Sequence, residues 1–153
     1  MDPNYEAAVE YMERAEKVEA EVQDMIERLD FLRSSLTGSA LNMDADRVQT
    51  SPKDRMGEVC AQIADLDAQV NQKIDRLADI RAETYDTLKR YVHDGLARDI
   101  LVKRYLYFHD LRDICRRKRI SYRTVRRVHN KGLWQLSRKL KKKKKVLTCH
   151  SDL

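Results

Sequence analysis

Two long stretches of this chain carry mostly apolar residues at alternating steps of four and three, and this spacing constrains the fold more than any other feature. The first stretch has these seam positions at Tyr11, Ala15, Val18, Val22, Met25, Leu29, Leu32 and Leu36. The second has them at Met56, Val59, Ile63, Leu66, Val70, Leu77, Ile80, Thr84 and Leu88. Such steps place side chains along one face of an α-helix, as in a coiled coil. The chain is therefore predicted to contain two long helices, each packed along its length against a partner.

The two helices are predicted at about residues 5–36 and 52–93, with Ser51 as the N-cap of the second. The connection, about residues 37–51, is a predicted loop in which Gly38 ends the first helix in a left-handed conformation. Two seams of similar length joined by a loop predict an antiparallel helical hairpin.

The hairpin is predicted to span residues 1–93, with Lys73 standing where the second seam expects an apolar residue. A single polar seam residue more often sets the register or oligomeric state than breaks the helix. Because two helices alone bury little apolar surface, we expect the hairpin to form a homodimer or to dock on another protein. A plain structural spacer is an equally open interpretation, since periodicity indicates how helices pack and not why.

The composition favours an all-α fold. Charged residues make up 37% of the chain, and four glycines and two prolines are too few for a β fold rich in turns. No apolar run is long enough to span a membrane, and the N-terminal residues lack the features of a secretory signal. We therefore expect a cytoplasmic protein that makes no contact with membranes.

Neither enzyme activity nor a bound cofactor or metal is expected from the sequence. The cysteines Cys60, Cys115 and Cys149 are far apart and are predicted to be free thiols. The histidines have neither metal-site nor catalytic-triad spacing, and no glycine-rich phosphate-binding loop is present.

The charge is divided unequally along the chain. Residues 1–100 contain 13 Lys and Arg against 22 Asp and Glu, a net charge of −9. Residues 101–153 contain 18 Lys and Arg against 3 Asp and Glu, a net charge of +15. This asymmetry predicts a C-terminal end that binds a polyanion and an N-terminal end with a separate role.

Residues 94–140 are predicted to form a helix-turn-helix domain. A short amphipathic helix follows Asp94-Gly95. Asp110 is a candidate cap for a helix of about two turns, and Ser121 is a candidate N-cap for the helix after it. A short helix, a tight turn and a capped second helix follow one another in the DNA-binding helix-turn-helix.

The second helix of this motif separates an apolar stripe from an arginine-rich face. The stripe consists of Val125, Val128, Gly132, Leu133, Leu136 and Leu140. The other face carries Arg123, Arg126, Arg127 and Asn130 at positions i, i+3, i+4 and i+7. In the major groove arginine pairs with guanine and asparagine with adenine, and Tyr122 is placed to touch a phosphate or a thymine methyl. The further residues expected to contact DNA are Arg116, Arg117, Lys118, Arg119 and Lys131.

The surroundings of this face are less specific. The basic tail, residues 141–153, begins with five lysines and is expected to add sequence-independent attraction to phosphates. Trp134 lies on the arginine side of the helix, where packing under the hairpin is favoured over a role on the DNA face. His129 lies beside the stripe and is expected to be structural. A solvated basic helix with no specific target is the competing interpretation.

The segment RYLYFHDLRDICRRKRISYRTVRRVHNKGLWQL resembles the fourth conserved region of bacterial sigma factors, a helix-turn-helix that reads promoter DNA. It is more similar to small ArpU-type, sigma-like transcription regulators of phages and prophages. A second segment of this chain, DRVQTSPKDRMGEV, also resembles the central stretch of that family. The resemblance covers roughly residues 45–140 and implies transcription control of phage genes in the cytoplasm of a bacterial host. The family usually has Leu-Gly in the turn, where this chain has Lys118-Arg119, and a Trp where it has Leu111. Arginine in a left-handed turn costs about 1 kcal/mol, or the turn takes another form.

Three functions are consistent with these patterns. The favoured one is a sequence-specific transcriptional regulator that binds double-stranded DNA, with host RNA polymerase as a candidate partner. The second is a small-terminase-like DNA-packaging or other phage assembly protein, which would form a large ring of chains. The third is an interaction protein whose acidic hairpin binds RNA polymerase.

Overall fold

The computed structural model describes residues 3–41 and 52–148, and these two ranges contain helices and short connections but no β-strand. The helices are α1 (Pro3–Leu41), α2 (Pro52–Tyr91), α3 (Gly95–Tyr105), α4 (Leu111–Lys118) and α5 (Tyr122–Thr148). The predicted all-α fold, with a long helical hairpin followed by a smaller helical domain, is confirmed.

The end of α1 differs from the prediction. The helix continues through Gly38 to Leu41, and Gly38 does not adopt a positive φ, so the predicted end at Leu36 is wrong. Glycine permits a left-handed helix end without requiring one, and its cost inside a helix is only about 1 kcal/mol. The rest of the predicted loop, including the Ser51 cap, lies outside the described residues. Helix α2 ends at Tyr91, slightly before the predicted limit near residue 93.

The described residues fall into two compact units, each of which takes part of both long helices. One unit comprises Val18–Leu77. Within it the residue numbers of paired side chains run in opposite directions along the two helices: Lys73 forms an ion pair with Glu21, and Arg33 lies 3.4 Å from Asp67. The helices of this unit are therefore antiparallel, and the polar seam residue Lys73 has a partner of opposite charge.

The apolar seam residues of this unit are buried or half-buried at every predicted position except Met56. The buried members of the seam are Val18, Val22, Leu29, Leu66, Val70 and Leu77. Met56, which begins the second predicted seam, is instead 54% exposed. The seam prediction thus holds along the middle of the hairpin and fails for Met56.

The other unit contains the described residues up to Lys17 and from Ala78 onward. Here α1 and α2 are also antiparallel, because Tyr11 Oη lies 3.0 Å from Thr87 Oγ1 and Arg14 forms an ion pair of 3.5 Å with Glu83. Met12 is completely buried, whereas the predicted seam residue Tyr11 is only half-buried. The phenol needs a polar partner, so Tyr11 lies at the edge of the seam and the thioether of Met12 occupies its centre.

Helices α3, α4 and α5 pack against one another around an apolar core. The core side chains that are completely buried are Ala97, Ile100, Leu101, Ile114, Val125 and Leu136. Burying one such leucine or isoleucine stabilises the fold by about 1.5–3 kcal/mol. The predicted stripe of α5 is buried from Val125 through Leu136, and Leu140 is half-buried.

Gly132 sets how closely α5 approaches α3. A Cβ atom at this position would lie 2.8 Å from Leu101 Cδ1 and 3.3 Å from Ala97 Cβ. The leucine methyl could rotate away, but the alanine methyl is fixed to its backbone. The two helices can therefore keep this separation only with glycine at position 132.

We expect Gly132→Ala to destabilise the protein, with an overpacking cost of about 1–3 kcal/mol that exceeds the helix propensity gain of about 1 kcal/mol. Gly57→Ala is the matched control, because a Cβ at Gly57 in α2 meets nothing within 4 Å. The control should raise stability by about 0.5–1 kcal/mol. Urea denaturation of both variants measures the difference. Equal stabilisation by the two substitutions would contradict the close packing.

Candidate nucleic-acid interface

The turn between α4 and α5 is tight and left-handed. Arg119 has φ 55° and ψ 41°, its N–H bonds to the Arg116 carbonyl at 3.4 Å, and the Ile120 N–H bonds to the Cys115 carbonyl at 3.2 Å. This pair of bonds is the Schellman arrangement, in which glycine is the usual left-handed residue. Arg119 therefore takes a left-handed conformation that glycine usually adopts, at a cost of about 1–2 kcal/mol.

The helix caps on both sides of the turn follow the sequence prediction in part. Ser121 Oγ accepts the Thr124 N–H at 3.2 Å, so the predicted N-cap of α5 is confirmed. Asp110 occupies the N-cap position of α4, where its carbonyl accepts the Ile114 N–H at 3.1 Å, but its side chain makes no cap hydrogen bond.

The structure brings together the predicted base-reading residues on one face of α5. A shallow depression on this face is lined by Tyr122, Arg123, Arg126, Arg127 and Asn130, which we call the reading face. The tyrosine and the three arginines are exposed, and Asn130 is half-buried. In the part of the chain that the structure describes, no carboxylate forms an ion pair with any of these arginines. Their guanidinium groups are therefore available to a ligand of opposite charge.

The other predicted DNA contacts mostly have partners within the protein. Arg116 forms an ion pair with Asp113, and Arg117 Nη1 lies 3.4 Å from His109 Nε2. Arg119 is exposed at the turn. Exposed pairs of this kind contribute about 0–1 kcal/mol, so phosphate oxygens can compete for these cations.

Lys118 and Lys131 connect α3 to α4 and α5. Lys118 forms an ion pair with Asp99, and Lys131 Nζ lies 3.0 Å from Asp94 Oδ2. Burial raises the pKa of Asp99, but hydrogen bonds from Lys118 and Lys103 outweigh it and lower that pKa. The hydrogen bond from Lys131, supported by the α3 backbone, lowers the pKa of the N-cap Asp94. These two lysines therefore have a structural role that the local sequence pattern does not indicate.

A hydrogen-bonded network lies behind the reading face. Tyr105 Oη lies 3.2 Å from His129 Nε2, and His129 Nδ1 lies 3.1 Å from Asn130 Oδ1. Tyr5 Oη donates to the same amide oxygen at 3.3 Å. Burial lowers the pKa of His129 and raises the pKa of Tyr105 to about 12. His129 is thus half-buried and hydrogen-bonded, in line with the structural role expected for it.

Trp134 packs against the first turn of α1. Its ring centroid lies 5.2 Å from that of Tyr5, and the side chain remains 44% exposed. The predicted packing of Trp134 under the hairpin is therefore partial, because one side of the indole contacts Tyr5 while much of the ring is exposed. Tyr5 thus contacts both Asn130 and Trp134, which are one turn apart on α5.

No family model, no curated protein and no solved structure matches this chain. Cys60 and Cys115 are free thiols, while Cys149 lies outside the described residues. None of the described helices combines the length and apolar character that crossing a lipid bilayer requires.

Replacing Arg119 with glycine tests the left-handed turn. We expect Arg119→Gly to raise the free energy of unfolding by about 1 kcal/mol, because glycine adopts this conformation without strain. Lys118→Gly, one residue earlier at the last position of α4, should instead lower stability by about 1 kcal/mol, because this residue is helical and pairs with Asp99. Chemical denaturation measures both, and a loss of stability in Arg119→Gly would show that the turn is not left-handed.

His129 should make the fold sensitive to mild acid. Its pKa is lowered in the folded state, so folding favours the neutral ring, and the stabilisation is present above the ordinary pKa of about 6.5. As the pH falls from 7.5 to 5.5, the unfolded chain binds the proton more readily and stability decreases. The decrease should be smaller in His129→Gln, measured by thermal unfolding at both pH values. Identical pH dependence in the two proteins would mean that His129 titrates normally in the fold.

Proposed function

We propose that this protein is a sequence-specific DNA-binding regulator that inserts α5 into the major groove of double-stranded DNA. The observation that carries the proposal is the reading face, where Arg123, Arg126 and Arg127 lie exposed on the second helix of a helix-turn-helix. Among the described residues no carboxylate pairs with these three cations, and within little more than one helical turn they repel one another, so the fold itself gains nothing from placing them together.

The geometry suits a DNA groove better than a small ligand. The depression is shallow and lies along a single helix, whereas small-molecule sites are concave and largely apolar. The major groove is about 12 Å wide and admits one α-helix, and arginine forms two hydrogen bonds with the O6 and N7 atoms of guanine. Three arginines within little more than one turn of one helix face can therefore contact neighbouring base pairs.

Phosphate contacts would come from the rim of this surface. Tyr122 is 48% exposed at the first position of α5, and Arg119 is exposed in the preceding turn. Such groups fix the register of a helix-turn-helix on the duplex without reading the bases. The lysine run at residues 141–145 would add attraction to any DNA sequence.

The proposal includes a narrower function, which is the control of phage or prophage genes together with host RNA polymerase. The resemblance to sigma-like regulators supports this narrower function. The acidic hairpin supplies a surface of opposite charge to the DNA-binding end, which suits a protein partner or a second copy of the chain.

Arg126→Ala distinguishes base reading from general attraction. We expect the substitution to cost about 1–3 kcal/mol of binding to a preferred sequence and to relax the preference at one base pair. Lys143→Ala, in the basic run, should weaken binding to all sequences about equally. Gel-shift titrations with preferred and scrambled duplexes measure both effects. Indistinguishable behaviour of the two variants would contradict the division into reading and steering residues.

The salt dependence of the same titrations supplies an independent check. Each neutralised phosphate should contribute a slope of about −0.9 to a plot of log affinity against log salt concentration. Binding that responded neither to salt nor to DNA sequence would exclude the proposed function.

A further inference from the structure

Asn130 differs from the arginines of the reading face because other side chains hold its amide. Tyr5 Oη donates to Asn130 Oδ1 at 3.3 Å, and His129 Nδ1 lies 3.1 Å from the same oxygen. Tyr5 is itself held against α5 by its ring contact with Trp134. The first turn of α1 therefore contributes to the base-reading surface of a helix that follows it by more than a hundred residues.

The direction of the hydrogen bonds follows from the inner end of the network. Tyr105 is buried and keeps its phenolic proton, so its hydroxyl can donate to His129 Nε2 across 3.2 Å. Neutral histidine then carries its single proton on Nδ1 and donates it to Asn130 Oδ1. With the Tyr5 hydroxyl as the second donor, both lone pairs of the amide oxygen are occupied.

The amide nitrogen Nδ2 is then the polar side-chain atom of Asn130 that remains able to contact DNA. Among the described residues no acceptor binds Nδ2, and Asn130 lines the depression beside Arg126 and Arg127. We propose that Asn130 reads its base as a hydrogen-bond donor only, held in this orientation by Tyr5 as a positioning residue. This inference rests on the proposed DNA-binding function.

The base preference follows from the acceptors in the major groove. Guanine presents N7 and O6, adenine presents N7, thymine presents O4, and cytosine presents only its amino group, which is a donor. Asn130 should therefore favour guanine and disfavour cytosine. This differs from the adenine preference expected from the sequence, because the two-bond contact with adenine needs a free amide oxygen.

Selection of bound duplexes from a random DNA pool tests this assignment. The base position read by Asn130 is the one whose preference is lost in Asn130→Ala. At that position the wild-type protein should enrich guanine and deplete cytosine by about 5-fold or more. Tyr5→Phe removes one donor from the amide oxygen and should raise adenine relative to guanine several-fold. Tyr11→Phe is the matched control on the same helix, since the Tyr11 hydroxyl bonds to Thr87 and not to α5.

Enrichment of adenine and cytosine by the wild-type protein would overturn the proposal, because both bases present an amino donor and would require the amide oxygen to face outward. An unchanged base profile in Tyr5→Phe would remove Tyr5 as a positioning residue. Selection of a motif that Asn130→Ala leaves intact would overturn the inference while supporting the DNA-binding function. Failure to select any motif would instead overturn the proposed function, and this inference with it.

A measurement without DNA separates the hydrogen bond from the base preference. In nuclear magnetic resonance spectra of the free full-length protein, the side-chain amide protons of Asn130 should shift in Tyr5→Phe and remain in place in Tyr11→Phe. Unchanged Asn130 amide signals in Tyr5→Phe would contradict the contact itself, whatever the DNA selection gives.

Discussion

The close packing of α5 against α3 at Gly132 determines which face of α5 can meet a ligand. A Cβ at this position would clash with Leu101 and press on Ala97, so the backbone separation depends on glycine. Once this contact fixes the rotation of α5 about its axis, Val125 and Leu136 enter the core and the reading face points to solvent. The exposure of Arg126 is thus a consequence of apolar packing on the opposite side of the same helix.

Polar interactions further restrict the position of α5, although each contributes little to stability. The left-handed Arg119 makes the turn between α4 and α5 short, and Lys118 and Lys131 tie the helices to the carboxylates of α3. Such partly exposed ion pairs contribute little stability individually. Their effect is to limit the orientations of α4 and α5 relative to α3. The proposed base reading would depend more on this fixed orientation than on additional stability.

Much of this arrangement could be predicted from the sequence because it depends on local periodicity. The buried stripe of α5, its arginine face and the Ser121 cap all follow from residues within a few turns of one another. The hydrogen bond between Tyr5 and Asn130 could not be predicted, because the two residues are 125 positions apart and nothing in either local pattern indicates the contact. The burial of Met12 in place of Tyr11 and the continuation of α1 through Gly38 were also missed, since seam spacing tolerates a shift of one residue and glycine does not require a helix to end.

The most direct test of the proposed DNA contact is a nuclear magnetic resonance titration of the full chain with a DNA duplex, following backbone amides and arginine side chains. We expect the largest chemical-shift changes to fall on Tyr122–Asn130, with saturation at a defined stoichiometry. Changes confined to the lysine-rich residues after Leu140 would contradict it, because they would indicate general attraction between the basic tail and phosphates with no contact from the reading face.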